Sequence, residues 1–540
     1  MIGDDAEDYL ARTSVKLLHK LGLNVMTMSP AKKDYGNHNY PLERIEKAIR
    51  WLKTSGNQKI GIVGIFYLFY QTITKKSFMN TSKILFSLFL VLSLLVSCEK
   101  DNNHSEDDEL ATRMNQFIQS NLSTFYLWYD EIPNIKPESK KDPKEYFKAL
   151  LSSKDKWSLI TDDANGLLEE MAGTGETYGY GLAYGRFNNS SECFAIVQYV
   201  YPGSPAAEKL KRGDIIVKLN SQTLTQNDLN KLTLPGTLNL GMGKRVGDAI
   251  GPTGQTVTIT SRKMNTDPVL ITKLFERGNH KIGYLMYTHF SKTFNSSIVK
   301  AFNEFKEVGI TDLVLDLRYN HGGDDEASTF LCSAIVPKEK AIEGTLLSKE
   351  TWNTPCQKIF ESDPQYDGLL NRFFVETNCN LDLPSKKIYI LTTRETISAS
   401  EYTIACLKAF MDVELVGTQT YGKYVTMYSF SPQYEENGKM VADEELANWL
   451  IFPVCSRFSN INGYPSSLEG MIPQHEVNED LFNGIQLGDA NEPLLAEALA
   501  LISGTQRRQA KGRSIETAPA FNMLPKSFND IKSNRIIHVK

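Results

Sequence analysis

The chain has 540 residues, 41% hydrophobic and 23% charged, the balance of a globular protein with room for roughly three or four domains. A net charge of −5 is small for this length, and no basic stripe argues for nucleic acid as a partner. Eight scattered histidines and seven cysteines show neither His-x-x-x-His nor Cys-x-x-Cys spacing, so a zinc site is not expected. Cys332 and Cys406 sit inside apolar helical runs and read as small core residues. Cys356 and Cys379 flank a loop-like region, where an oxidising compartment would allow a pairing that sequence cannot fix.

In chain order, "PLERIEKAIRWLKTSGNQKIGIVG" (41–64) resembles the segment before the nucleophile elbow of α/β-hydrolases of the acyl-CoA thioesterase type. A Gly-x-Ser-x-Gly turn should follow. The chain reads Ile65-Phe66-Tyr67-Leu68 instead. Residues 1–78 are therefore expected to be a truncated hydrolase-like remnant or a misassigned start, with no activity of their own. From Met79, Lys83 precedes the apolar stretch Ile84–Ser97, which is shorter than the about 20 residues needed to span a bilayer and suits the core of a secretory signal. Leu95-Val96-Ser97-Cys98 resembles a bacterial lipobox, which implies a lipoprotein signal peptide over 79–98 and lipidation at Cys98. Residues 99–109 are acidic and polar and are expected to form an extended tether.

Residues 110–176 read as a helical N-terminal domain. Met114, Phe117, Ile118, Leu122 and Phe125 recur at helical spacing, and Asp142-Pro143 is a good N-cap and N1 pair. Residues 177–265 are short β-rich runs broken by Gly and Pro. Within them a strand (Phe194–Val200) leads through Pro-Gly-Ser-Pro to a short helix (Ala206–Leu210), then Arg212-Gly213-Asp214 and a strand at Ile215–Leu219. This segment resembles a PDZ domain of the bacterial protease type. The resemblance places a carboxylate-binding loop at "YGYGL", that is Tyr178, Gly179, Tyr180, Gly181 and Leu182. Glycines there would let successive N–H groups converge on an anion, and a peptide would add as a strand to the sheet edge.

From residue 282 strands alternate with helices, which implies a parallel sheet. "DLVLDLR" (312–318), "KKIYILTT" (386–393) and "VELVG" (413–417) read as buried strands. On the helix "SIVKAFNEFKEVG", Ile298, Ala301, Phe302, Phe305 and Val308 share one face. Ser398-Ala399-Ser400-Glu401 fits a capping box, Ser at N-cap and Glu at N3. Lys423 follows the next strand, and Asn320-His321-Gly322-Gly323 follows another. In a parallel sheet all three segments lie at the same edge.

Together these three segments resemble the C-terminal processing (tail-specific) serine peptidase family. Its members carry Asp-Leu-Arg-x-Asn-x-Gly-Gly at a strand end, a Ser-Ala-Ser-Glu tetrad and a Thr-Phe/Tyr-Gly-Lys loop. The resemblance covers roughly residues 110–500. It implies an α/β fold: a ClpP/crotonase-like peptidase core at 275–503, with an inserted PDZ domain, an N-terminal helical segment and a C-terminal tail at 504–540. It also implies that Ser398 is the nucleophile and Lys423 its base, with Ala399 and Gly322 or Gly323 supplying oxyanion donors. Burial among Tyr421, Gly422 and Val425 would favour the neutral amine of Lys423. His321 invites a serine–histidine reading, but no acid at a telling position orients it; Asp316 and Arg318 read as braces. In many relatives a glutamine four residues after the lysine orients it; here that position is Met427.

The expected function is an exported serine endopeptidase that cleaves unfolded chains or C-terminal tails without a cofactor. Its partners would be polypeptides and, through the lipid anchor, a membrane of the bacterial cell envelope. The alternative is a catalytically inactive, peptide-binding lipoprotein of the same fold.

Overall fold

The computed structural model describes residues 106–436, 439–465, 469–505, 520–525 and 537–538. The upstream remnant, the signal with Cys98 and residues 99–105 of the tether lie outside the described residues. Helix α1 (Glu106–Phe125) takes in the last four residues assigned to the tether. Acidic residues at a helix N-terminus sit at the positive end of its dipole, and Asp108 pairs with Lys141, so the run 106–109 starts a helix instead of staying extended. Helices α2 (Pro143–Leu150), capped by Asp142, and α3 (Ala164–Ala172) complete this segment.

An antiparallel sheet follows, built from β1 (Tyr180–Phe187), β2 (Cys193–Val200), β3 (Ile215–Leu219), β4 (Thr237–Val246) and β5 (Ala249–Thr260) in that order. Alternation along β2 puts Cys193, Ala195 and Val197 into one apolar cluster and Phe194 and Ile196 into another, on the opposite face. The short helix expected at Ala206–Leu210 is a single turn, in which Lys209 and Leu210 both donate to the Ala206 carbonyl. Five residues do not repay helix nucleation.

Further elements include β6 (Val269–Arg277), β7 (His280–Tyr287), α4 (Asn295–Val308), β8 (Asp312–Asp316), α5 (Asp325–Ile335), β9 (Leu346–Trp352), α6 (Thr354–Ser362), β10 (Asn371–Phe373), β11 (Lys387–Thr392), α7 (Ala399–Lys408), β12 (Asp412–Gly417), β13 (Val425–Tyr428), β14 (Val454–Asn460), β15 (His475–Glu476), α8 (Pro493–Ser503), β16 (Phe521–Leu524) and β17 (Ile537–His538). They form a six-stranded sheet, β6-β7-β8-β11-β12-β15, and a five-stranded one, β10-β9-β14-β13-β17. The first is parallel from β7 to β15; β6 is an antiparallel edge strand. The core sheet thus begins at Val269, ahead of the expected start at 275, because the hairpin to β7 recruits the segment leaving the antiparallel sheet.

Both faces of the six-stranded sheet are covered, as expected of parallel strands. Leu313, Leu315, Ile388 and Ile390 pack with Phe302, Leu331 and Ile404 of α4, α5 and α7. Tyr284, Val314 and Leu391 pack on the other face with Leu494, Leu495 and Leu499 of α8. Val308, assigned to the buried face of α4, is 39% exposed, since that helix ends in the left-handed cap at Gly309. Cys356 and Cys379 are both free thiols. They lie in separate clusters, Cys356 beside Trp352 and Phe360 and Cys379 in the main core, so the pairing considered from sequence does not form. No described helix is long and apolar enough to cross a membrane.

Candidate active site

Strands β8, β11 and β12 are consecutive neighbours in the parallel sheet, so the loops at their C-terminal ends lie side by side. Those loops carry Asn320–Gly323, Glu395–Ser398 and Thr418–Lys423. Ser398 is the N-cap of α7 and adopts φ 63°, ψ −112°, a conformation L residues rarely take and that concentrates at functional sites. Its Oγ accepts a hydrogen bond from Lys423 Nζ at 3.2 Å. Both side chains are fully buried.

Glu401 positions both partners. Its Oε1 accepts from the Thr420 hydroxyl and the Gly422 N–H, each at 2.6 Å. Its Oε2 accepts from the N–H groups of Lys423 at 2.8 Å and Ser398 at 3.0 Å. Burial raises the Glu401 pKa, and these four donors oppose that shift. The Ser-x-x-Glu spacing predicts the helix cap alone; the reach of the carboxylate to the lysine loop joins residues 22 apart and is not in that spacing.

The glycines are forced by proximity. A Cβ on Gly322 (φ 99°) would lie 2.8 Å from Ser398 Cβ and 2.9 Å from Ala399 N. One on Gly323 (φ 137°) would lie 2.1 Å from the Phe290 carbonyl oxygen. The Gly322 N–H donates to Asn320 Oδ1 at 2.9 Å, so of the three expected oxyanion donors this one is already engaged. The N–H of Ala399 and that of Gly323 remain as the pair at this edge. The Asn320 carbonyl accepts from Ile397 N–H at 3.0 Å and from the Ser400 hydroxyl at 2.9 Å, which fixes the glycine loop against the start of α7. Ser400 is a brace between the two segments.

An acid does face His321, contrary to the sequence reading: Nε2 lies 3.0 Å from Glu395 Oε2. Gln198 of β2 donates to the other Glu395 oxygen at 2.6 Å. This pair links the antiparallel sheet to the loop before Ser398, while the hydroxyl of Ser398 is bonded by Lys423. Asp316 and Arg318 are fully buried braces. Arg318 pairs with both Glu492 oxygens at 2.6 and 2.8 Å and with Asp316 through Nε at 3.0 Å. Met427 is also fully buried and packs with Met114, Ile118, Tyr126 and Ile397.

At the start of β1, Gly179 has φ 76°, and a Cβ there would lie 2.2 Å from Ser204 Cβ. Its N–H donates to Thr177 Oγ1 at 3.0 Å. Tyr178 and Tyr180 donate their hydroxyls to the carbonyls of Leu234 and Leu232. Gly181 pairs across the ladder with Tyr199, and Leu182 is buried.

Residues 281–442 match the model of peptidase family S41, and residues 113–159 match the S41 N-terminal domain. The structure is similar to that of a Bacteroides fragilis protein described as an S41 protease, at 28% identity and a TM-score of 0.57, covering 72% of this chain and 98% of that one. The carboxyl-terminal-processing protease of Picosynechococcus sp. is 26% identical over 35% of this chain and 43% of its own length. The carboxy-terminal processing protease CtpA of Bacillus subtilis is 24% identical over 41% of this chain and 42% of its own. The chain spans about half the length of the curated relatives it matches. Those motifs, the fold they sit in and these similarities agree: residues 281–442 carry a peptidase family S41 region, preceded by an S41 N-terminal domain at 113–159.

Proposed function

We propose that the protein is an exported serine endopeptidase that cleaves unfolded chains or C-terminal tails with a Ser398–Lys423 dyad, the β-rich module acting as a PDZ-like holder of peptide ends. The observation that carries this reading is the 3.2 Å contact between Lys423 Nζ and Ser398 Oγ, both fully buried. A serine hydroxyl needs a base to become a nucleophile. Burial strips the hydration that favours an ammonium, so the neutral amine gains weight. Lys423 then takes the Ser398 proton as Oγ attacks the peptide carbonyl. The N–H of Ala399, at the positive end of α7, and that of Gly323 receive the developing oxyanion. Lys423 returns the proton to the leaving amine, and water later releases the acyl group. Export rests on the sequence around Cys98.

Turnover of casein tests the reading. Ser398→Ala and Lys423→Ala are expected to abolish it with the fold intact, and Lys423→Arg as well, since arginine does not give up its proton. Wild-type turnover in any of the three would overturn the dyad. Unaltered folding with no casein turnover by the wild type would favour the inactive, peptide-binding alternative.

A further inference from the structure

Strand β16 comes from the C-terminal tail and belongs to no motif, yet it extends the antiparallel sheet at its β1 edge. It runs antiparallel to β1, with Phe521 opposite Phe187, Asn522 opposite Arg186, Met523 opposite Gly185 and Leu524 opposite Tyr184. Its direction is therefore toward Tyr180 and Gly179, the start of β1. The tail strand is anchored as a ligand would be. Ala520 accepts from Asn188 N–H at 2.9 Å, and Asn522 Nδ2 donates to Asn188 Oδ1 at 2.7 Å. Phe521 is buried against the rings of Phe194 and Phe482, with centroids 5.2 Å away in each case, and the Arg245 guanidinium lies 5.7 Å from its centroid. Phe482 belongs to the turn before α8, so the pocket is shared between the antiparallel sheet and the peptidase core.

An extended peptide gains affinity from a sheet edge by pairing its main chain there, with alternate side chains supplying specificity. The other side of β1 is already paired with β2. We propose that residues 520–524 are an intramolecular occupant of the peptide-receiving edge of the β-rich module. A substrate segment with an aromatic side chain, suited to the Phe521 pocket, must displace them to bind. This rests on the reading of the module as a peptide holder. Tethering places the tail at an effective concentration on the order of millimolar, so a free peptide competes at a disadvantage until the strand is loosened.

The test uses the full chain carrying Ser398→Ala, so that the probe is not consumed, and a fluorescent peptide of sequence APAFNMLPK, residues 518–526. In one variant Phe521→Glu expels the occupant; its binding, read by anisotropy, is expected to tighten about tenfold or more over the parent. In a second, Arg186→Cys with Asn522→Cys sets two thiols directly opposite each other, to be closed to a disulfide by oxidised glutathione. The closed form, verified by mass, is expected to lose binding about tenfold or more, and dithiothreitol to restore it. This variant keeps the fold whatever the fate of Phe521→Glu. If the closed and reduced forms bind equally, the occupancy inference falls while the peptide-holding reading stands. If no form binds, that reading falls too. A peptide with its phenylalanine replaced by alanine is expected to bind no form; equal binding of the two peptides would overturn the aromatic pocket.

Discussion

The Glu401 carboxylate receives four donors, two on each oxygen, and three of them are the backbone N–H groups of Ser398, Gly422 and Lys423. Such a carboxylate fixes the separation between Ser398 and Lys423, the proposed nucleophile and base, from a fully buried position. Glutamine keeps the shape but turns one acceptor oxygen into a donor, which leaves two of the four groups facing an N–H. Hydrogen bonds to a charged group are worth about 1.5–3 kcal/mol each. Glu401→Gln is therefore expected to lower kcat roughly 100-fold or more with KM little changed, as reacting atoms drift apart. Steady-state kinetics on casein or a peptide check this, with circular dichroism to confirm folding; an unchanged kcat would mean that the lysine loop holds its place without the carboxylate.

At the scale of elements, the three segments at the C-terminal edge of the parallel sheet were legible because each carries a strong local pattern. An apolar strand runs into glycines at 322 and 323, a capping box opens a helix at Ser398, and a glycine precedes Lys423. Partners distant in sequence were not legible. Nothing local in "AFNML" says that it will pair with β1, and nothing at Glu395 says that Gln198 and His321 will share it. Met427 shows the same limit. Its position suggested a glutamine's place beside the lysine, and on sequence alone glutamine there looks harmless. Strand β13 instead turns this side chain into the apolar cluster formed by α1 and Ile397. Met427→Leu, close in volume, is expected to cost less than about 1.5 kcal/mol and keep most activity. Met427→Gln buries an amide in that cluster and is expected to destabilise by about 1–3 kcal/mol. Urea unfolding separates the two; a Gln variant as stable as the Leu variant would mean that the amide finds a partner at the site.

Across the whole molecule, the N-terminal helices, the β-rich module and the core meet at His289. Its imidazole sits after β7, edge-on to Phe294, and a Cβ on Gly173 at the end of α3 would lie 2.9 Å from its Nε2. Thr266, in the segment leading from the module to β6, donates both its N–H and its hydroxyl to the Gly173 carbonyl beside it. His289 Nε2 is buried and has no hydrogen-bond partner, and Nδ1 lies 3.3 Å from Thr288 Oγ1. Burial pushes its pKa down from 6.5 to about 4. A histidine held neutral in the fold and free to charge when unfolded contributes stability above its unfolded pKa. That contribution is lost as the pH falls from 6.5 through the folded value near 4. The loss amounts to about 2 kcal/mol by pH 5 and about 3 kcal/mol in full. Urea unfolding at pH 7.5 and pH 5 is expected to show this difference in the wild type, and His289→Gln to lose it, since that side chain does not titrate. The same variant controls for the carboxylates, whose titration both proteins share. An equal decline in the two would place the acid sensitivity elsewhere and leave the junction indifferent to the charge on His289.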